Sequence, residues 1–386
     1  MRDATRVVIP ILVAMIAIDP ARAQVPPEPW PEPTPELPAP PEPATPAPKP
    51  AAKGFALRQG DYTLTLVGRL QTYFLGTSIV TDHQRAESGL FELHRARLGV
   101  EGELGPRVLY KVQVELGKGN THLKDFRFDV VLGRDVRLRM GQWKRPFSRQ
   151  FLNSSFRFEL VERAITDKAF GNSRDIGVAV GNDYEASPAL EWTIGVYDGL
   201  DDEKPTVRGS TLSNLPLAFR PVLAARVGAN RGAIKGYSEG DLDGGPLRYG
   251  AGAAVVLEGD VDRDGQAAHR FTIDAVAKLG GWSVSGAAFL ATTGSGFADA
   301  WEATLAGGHV QLGHVIDHRV GLAARYATVL ALGTNDALTQ REAAVGLSYY
   351  LRGAATKLQV DLATRTVGEA AAVDHLRLQL QGQVSF

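Results

Sequence analysis

From residue 54 to its last residue, Phe386, the chain alternates apolar and polar side chains with a period of two, in short runs broken by turn residues. A strand points successive side chains to opposite faces, so each run presents one apolar and one polar face. In Arg95-Ala96-Arg97-Leu98-Gly99-Val100-Glu101 the residues Ala96, Leu98 and Val100 share one face, and Arg95, Arg97 and Glu101 the other. Lys111-Val112-Gln113-Val114-Glu115-Leu116 repeats the pattern after the turn at Gly105-Pro106-Arg107. Past residue 24 no segment approaches the roughly 18 consecutive apolar residues that a membrane helix needs. Two all-β folds remain. A soluble sandwich turns its polar faces to water, whereas a transmembrane barrel turns its apolar face to lipid and its polar face to a lumen. Alternation alone does not separate them.

The two ends of the chain favour the barrel. Residues 1–23 carry Arg2 and Arg6, an apolar run from Val7 to Ile18, and Ala21-Arg22-Ala23, which together have the form of an export signal peptide. Residues 24–53 hold a Pro at almost every second or third position, which permits neither helix nor sheet ladder, and are expected to form an extended, disordered periplasmic segment. Residues 54–386 then form the barrel. Its last run, Leu376-Arg377-Leu378-Gln379-Leu380-Gln381-Gly382-Gln383-Val384-Ser385-Phe386, alternates strictly and ends on an aromatic carboxy-terminus. That ending resembles the signal by which the outer-membrane assembly machinery takes up a strand through edge pairing. With no Cys in the chain, a disulfide scaffold or a thiolate metal site is excluded.

Sixteen strands are expected, at 62–78, 91–104, 107–117, 123–132, 135–144, 174–182, 190–198, 219–230, 247–258, 267–279, 282–292, 305–314, 318–330, 340–352, 355–367 and 373–386. An even number suits a single-chain bacterial barrel, and such barrels alternate short turns with longer loops. Most connections obey this rule, with 79–90, 145–173, 199–218, 293–304 and 331–339 as the longer loops; 231–246 is long where a short turn is due and points to a missed hairpin. Fourteen and eighteen strands therefore stay open.

The near-zero net charge of −1 does not point to nucleic acid. Its distribution is uneven, however: residues 91–174 hold 17 Lys and Arg against 10 Asp and Glu. Alternation places Arg95, Arg97, Lys111, Arg127, Arg137 and Arg139 on the lumen side, where a row of cations concentrates anions. The planar fork of Arg is suited to phosphate. The long connection 145–173 contributes Arg145, Arg149, Arg157 and Arg163, with Lys144 just before it and Phe147, Phe151, Phe156 and Phe158 as apolar anchors. A connection of that length is usually functional. Folded into the barrel, it narrows the path and sets selectivity; left outside, it is a solvated basic surface.

Gly141-Gln142-Trp143-Lys144-Arg145-Pro146-Phe147-Ser148-Arg149 resembles the signature of the phosphate-selective porin O and P family. The order of Gly68-Arg69-Leu70-Gln71, Tyr110-Lys111-Val112, Glu162-Arg163 and Arg174-Asp175-Ile176-Gly177 fits as well. The resemblance is strong over about 60–185, continues weakly to Phe386 and leaves out 24–53. It implies a sixteen-stranded homotrimeric outer-membrane channel with an inward-folded third loop, here 145–173, and phosphate or polyphosphate as the passing anion. The family's dense lysine ladder is not evident; Arg stands where Lys would be.

Other chemistries find little support. Asp260-Val261-Asp262-Arg263-Asp264-Gly265 starts like a calcium loop, but its twelfth position is Phe271 instead of a bidentate Glu. His309 and His314 lie on opposite strand faces, with a turn before His318, so they do not make a metal site. No Ser–His–acid spacing marks a hydrolase. A non-catalytic, cofactor-free anion channel is the expected function. A non-transporting barrel, serving as an anchor or adhesion platform, is the alternative.

Overall fold

The computed structural model describes residues 55–386, apart from 82–83, 118–120, 171–173, 200–206, 209–210, 213–220, 259–266, 295–302, 333–338 and 369–372. The signal-peptide and Pro-rich readings fall on residues outside that description, as does the calcium-like stretch.

Sixteen antiparallel strands close on themselves. In chain order they are β2 (Tyr62–Val80), β3 (Arg85–Leu104), β4 (Val108–Glu115), β5 (His122–Gly133), β6 (Val136–Lys144), β7 (Arg174–Gly181), β8 (Leu190–Tyr197), β11 (Val222–Arg231), β12 (Arg248–Glu258), β13 (Ala267–Leu279), β14 (Trp282–Gly294), β15 (Ala303–Ile316), β16 (Val320–Ala331), β17 (Gln340–Arg352), β18 (Thr356–Val367) and β19 (Val373–Ser385). Every neighbouring pair is consecutive along the barrel, and β19 returns to β2 with Asp374 opposite Val80 and Ser385 opposite Arg69. A short strand β1 (Phe55–Gln59) pairs with Tyr62–Leu66 and so takes the edge of β2 beyond the point where β19 ends. The two-residue strands β9 (Val207–Arg208) and β10 (Thr211–Leu212) form a small hairpin in the connection after β8.

The faces are inverted relative to a soluble protein. On β19, Leu376, Leu378, Leu380 and Val384 are exposed, while Gln379, Gln381 and Gln383 are buried. On β13, Ile273 is 63% exposed beside Asp274 at 6%. Exposed apolar and buried polar positions alternate in this way along most of the wall, which is the pattern of a barrel with lipid outside and a polar lumen.

Three sequence expectations need correction. The segment 79–90 is not a long loop: β2 and β3 extend to Val80 and from Arg85, leaving a connection of only 81–84. The segment 231–246 holds no hairpin. Residues 232–247 run without strand pairing and bury Ile234, Tyr237, Glu239 and Asp241. The strand β1 was also missed, because five exposed residues carry no burial pattern to read.

The last residue extends the closing seam between β19 and β2. Phe386 exchanges two backbone hydrogen bonds with Gly68, each 3.1 Å. Its ring lies against the Gly68 backbone, where a Cβ would collide with it. Gly68→Val is expected to unseat the ring at a cost of about 1–3 kcal/mol. The folded fraction of refolded protein, read by heat-modifiable electrophoretic migration, should fall; an unchanged fraction would remove Phe386 from the closure.

Candidate functional site

Residues 145–170 of the long connection lie against the inner wall of the barrel. They contain α1 (Arg149–Leu152), a 3-10 turn at Ser155–Arg157 and α2 (Ile165–Ala169). Ser148 caps α1 by accepting from the Phe151 N–H at 3.1 Å. Phe147, Ile165 and Phe170 enter an apolar patch on the inner wall formed by Val222, Ala224, Val256, Phe289, Ala327 and Val329. Phe170 stacks on Phe289 with ring centroids 5.1 Å apart. Leu160 packs among Ala323, Ala344 and Ala363, and Gly346 leaves room for it. The loop therefore docks as a hydrophobic plug against one half of the wall, which a polar lumen could not provide.

Ion pairs hold the same plug. Arg149 donates from its backbone N and its Nε to Asp274, at 3.0 and 3.1 Å, and its Nη1 reaches Glu191 at 3.5 Å. Arg226 donates to the same Asp274 at 2.7 and 2.8 Å. Arg145 meets Glu258 at 3.2 Å and Asp175 at 3.6 Å. From the short-turn end, segment 232–247 rises to meet the plug. The Arg157 side chain donates to Tyr237 O at 3.3 Å, and Glu239 N donates to Arg157 O at 3.2 Å. The long connection breaks the short-turn rule because it is a second inward segment.

Among the described residues a cavity of about 470 Å³ lies against the other half of the wall, lined by Tyr73, His94, Arg95, Arg97, Glu115, His122, Lys124, Glu162, Lys168, Arg377 and Gln379, among others. Five cations face two carboxylates there. The carboxylates are already occupied. Glu115 accepts from Arg97 Nε at 2.7 Å and from the N–H of Ala96 and Gly117. Glu162 holds His94 at 2.7 Å and Arg95 at 3.4 Å. Burial pushes the Glu162 carboxyl up, but the hydrogen bond with His94 and the charges of Arg95 and Lys168 outweigh it and hold the group well below its ordinary range.

The cations are less evenly satisfied. The Lys124 ammonium holds no hydrogen bond or ion pair among the described residues, though the Lys124 carbonyl accepts from Gln142 at 3.2 Å. Arg377 approaches Glu342 at 3.8 Å, yet its Nε and Nη2 are buried with no acceptor among the described residues. A buried donor without an acceptor costs about 1–3 kcal/mol, more for a charged group, and an anion in the cavity relieves that cost.

Of the residues singled out from sequence, only Arg95 and Arg97 line this cavity. Lys144 spends its ammonium on the carbonyls of Phe151, Leu152 and Asn153, and Arg163 donates to the carbonyls of Gln150, Phe151 and Asn153. Lys111 pairs with Glu101 at 3.1 Å, Arg137 with Asp183 at 2.8 Å, and Arg127 and Arg139 share Asp129. Arg145, Arg149 and Arg157 fasten the plug as described. Lys124, Lys168 and Arg377 were not singled out. Lys124 sits where the β4–β5 register shifts between Gln113 and Val114, so it escapes strict alternation. Arg377 could have been found, since it shares a face with Gln379, Gln381 and Gln383.

The three histidines do not meet. His309 bonds Thr166 at 2.8 Å, His314 stacks on Trp282, and His318 bonds Leu242 O at 2.6 Å.

Fold and lumen together define a β-barrel of porin type. Residues 65–241 match the family model described as phosphate-selective porin O and P, a span that runs from β2 through the first inward segment and into the second. No curated protein matches the sequence. Among solved structures, the fold is similar to the anion-selective porin of Comamonas acidovorans, with a TM-score of 0.53 and 15% identity over 84% of this chain and 100% of that one. It is also similar to the outer-membrane channel DcaP of Acinetobacter baumannii, with a TM-score of 0.57 and 13% identity over 86% and 99%. The trimer form of OmpT of Vibrio cholerae gives a TM-score of 0.52 and 11% identity over 83% and 99%.

Proposed function

We propose that the chain is an outer-membrane channel for passive diffusion of small anions, with phosphate or polyphosphate as the preferred class. Its path is the cavity between the plug and the wall of β2–β5 and β19. The observation that carries this reading is the imbalance there: five cations face two carboxylates that are already neutralised, and Lys124 and Arg377 keep donors unused. A low-dielectric wall bearing such charge raises the local anion concentration. Arg95 and Arg97 position Glu162 and Glu115 as well as lending charge. The other arginines singled out from sequence form the frame that holds the path open.

The same reading takes residues 1–23 as the export signal and 24–53 as an extended periplasmic spacer. It takes the strand ending at Phe386 as the element presented to the assembly machinery. The exposed apolar belt meets lipid, and three copies assemble, as the trimer form of a fold relative illustrates.

The test is conductance in planar bilayers. In chloride, purified protein should conduct, and added phosphate should reduce the chloride current in a dose-dependent way. Conductance without phosphate block would leave an anion channel lacking phosphate preference. No conductance would favour the anchor or adhesion reading.

A further inference from the structure

The two inward segments enter from opposite ends of the barrel and meet at a pair of carboxylates. Glu159, on the plug, donates its backbone N–H to Glu239 Oε2 at 2.8 Å, and Glu239 lies on segment 232–247. The Gln311 side-chain amide on β15 donates to both carboxylates, at 3.0 Å to Glu159 and 2.9 Å to Glu239. Ser283 donates to Glu159 at 2.8 Å, and Gln150 to Glu239 at 2.9 Å. Both glutamates are about nineteen-twentieths buried. The wall is shaped for the junction: a Cβ on Gly313 would collide with the Glu159 carboxylate.

Among the described residues no Lys or Arg forms an ion pair with either carboxylate; Lys278 and Lys357 act on them only from a distance. Lys278 on β13 donates to Lys235 O, Ser238 O and Ser238 Oγ, and Lys357 on β18 donates to Phe158 O. Asp241 on the same segment is paired with Arg248 at 2.6 Å. Tyr350 on β17 and Asp167 on α2 also lie within electrostatic reach, and Arg325 on β16 donates to the Gln311 side-chain oxygen at 3.4 Å while paired with Glu342 at 2.9 Å. Two carboxylates joined through one amide hold together better when one of them carries a proton.

We propose that Glu159 and Glu239 form a proton-controlled latch that joins the plug to segment 232–247 and steadies the conducting path when closed. Burial and the neighbouring Glu239 charge push the Glu159 carboxyl up to about 7, from an ordinary value of 4.5. With the folded value raised, the neutral carboxyl stabilises the latch fully below pH 4.5, and this stabilisation is lost as pH rises through about 7. The gap corresponds to about two orders of magnitude in the latching equilibrium.

The test is single-channel recording at pH 5 and pH 8. Current interruptions should be about tenfold or more as frequent at pH 8, a conservative share of that equilibrium change. Glu159→Gln should be equally quiet at both. Glu239→Gln removes the like charge and should move the midpoint of the wild-type pH profile toward the ordinary carboxylate range. Wild-type interruptions that do not change with pH overturn the latch, as does a Glu159→Gln channel that keeps the wild-type pH dependence or a Glu239→Gln profile with an unmoved midpoint. The current readout rests on the channel reading. Thermal unfolding in detergent tests the latch without it: wild type should gain stability from pH 8 to pH 5, and Glu159→Gln should gain less. Equal gains overturn the latch even if no current is ever seen.

Discussion

Replacing Lys124, Lys168 and Arg377 together with Glu is expected to reverse the ionic preference of the channel from anions to cations. These three are the cavity cations whose groups hold the barrel together least. The Lys124 side chain has no hydrogen-bond or ion-pair partner among the described residues, Lys168 stands 4.0 Å from Glu162 and is 55% exposed, and Arg377 reaches Glu342 only at 3.8 Å. The exchange turns five cations and two carboxylates into two cations and five carboxylates around the same space. Charge lining a narrow path sets the sign of selectivity, so the reversal potential in a salt gradient should change sign. The same exchange at Arg97 would strip Glu115 of its 2.7 Å partner and confound selectivity with folding. A triple variant that folds and stays anion-preferring would move the selectivity site elsewhere.

Arg149→Ala is expected to act on the plug and to leave selectivity unchanged. Two guanidinium groups, Arg149 and Arg226, face two carboxylates, Asp274 and Glu191, in a network whose side chains are all at least 95% buried. Arg149 also lies over the Tyr237 ring, 4.9 Å from its centroid. Removing one member of a buried charge network leaves a charge uncompensated, at a cost of about 3–5 kcal/mol. The variant should lose thermal stability and expose connection 145–173 to protease. Its conductance should rise as the plug leaves the lumen, with the sign of its reversal potential unchanged. Arg149→Lys should rescue only in part, because one ammonium cannot replace a fork donating to two carboxylates. Wild-type stability together with weakened phosphate block would instead make Arg149 an anion ligand.

The barrel wall was legible because its strands bury one face and expose the other, and the period of two survives in sequence. Strand boundaries at 136–144, 190–197 and 340–352 lie within a residue or so of those read from alternation. Segment 231–246 reads from sequence as a connection too long for a short turn, with a missed hairpin as the explanation. Nothing local marks Tyr237, Glu239 and Asp241 as inward-packed, because their partners at Arg157, Glu159 and Gly281 lie far away in the chain. That cations crowd the inner wall of β3–β6 could be read from alternation, but not how they are paired. Alternation can send Arg127, Arg137 and Arg139 into the lumen, yet only the cross-strand register shows that Asp129 and Asp183 meet them there. Lys124 was hidden for the complementary reason, since a bulge breaks the parity on which the reading relied.

The central claim is that the open cavity passes anions in preference to cations. The most direct measurement is the reversal potential of the wild-type protein in a potassium chloride gradient across a planar bilayer. The structure predicts the sign that corresponds to chloride carrying most of the current. A reversal potential of the opposite sign, with potassium as the main carrier, would contradict it.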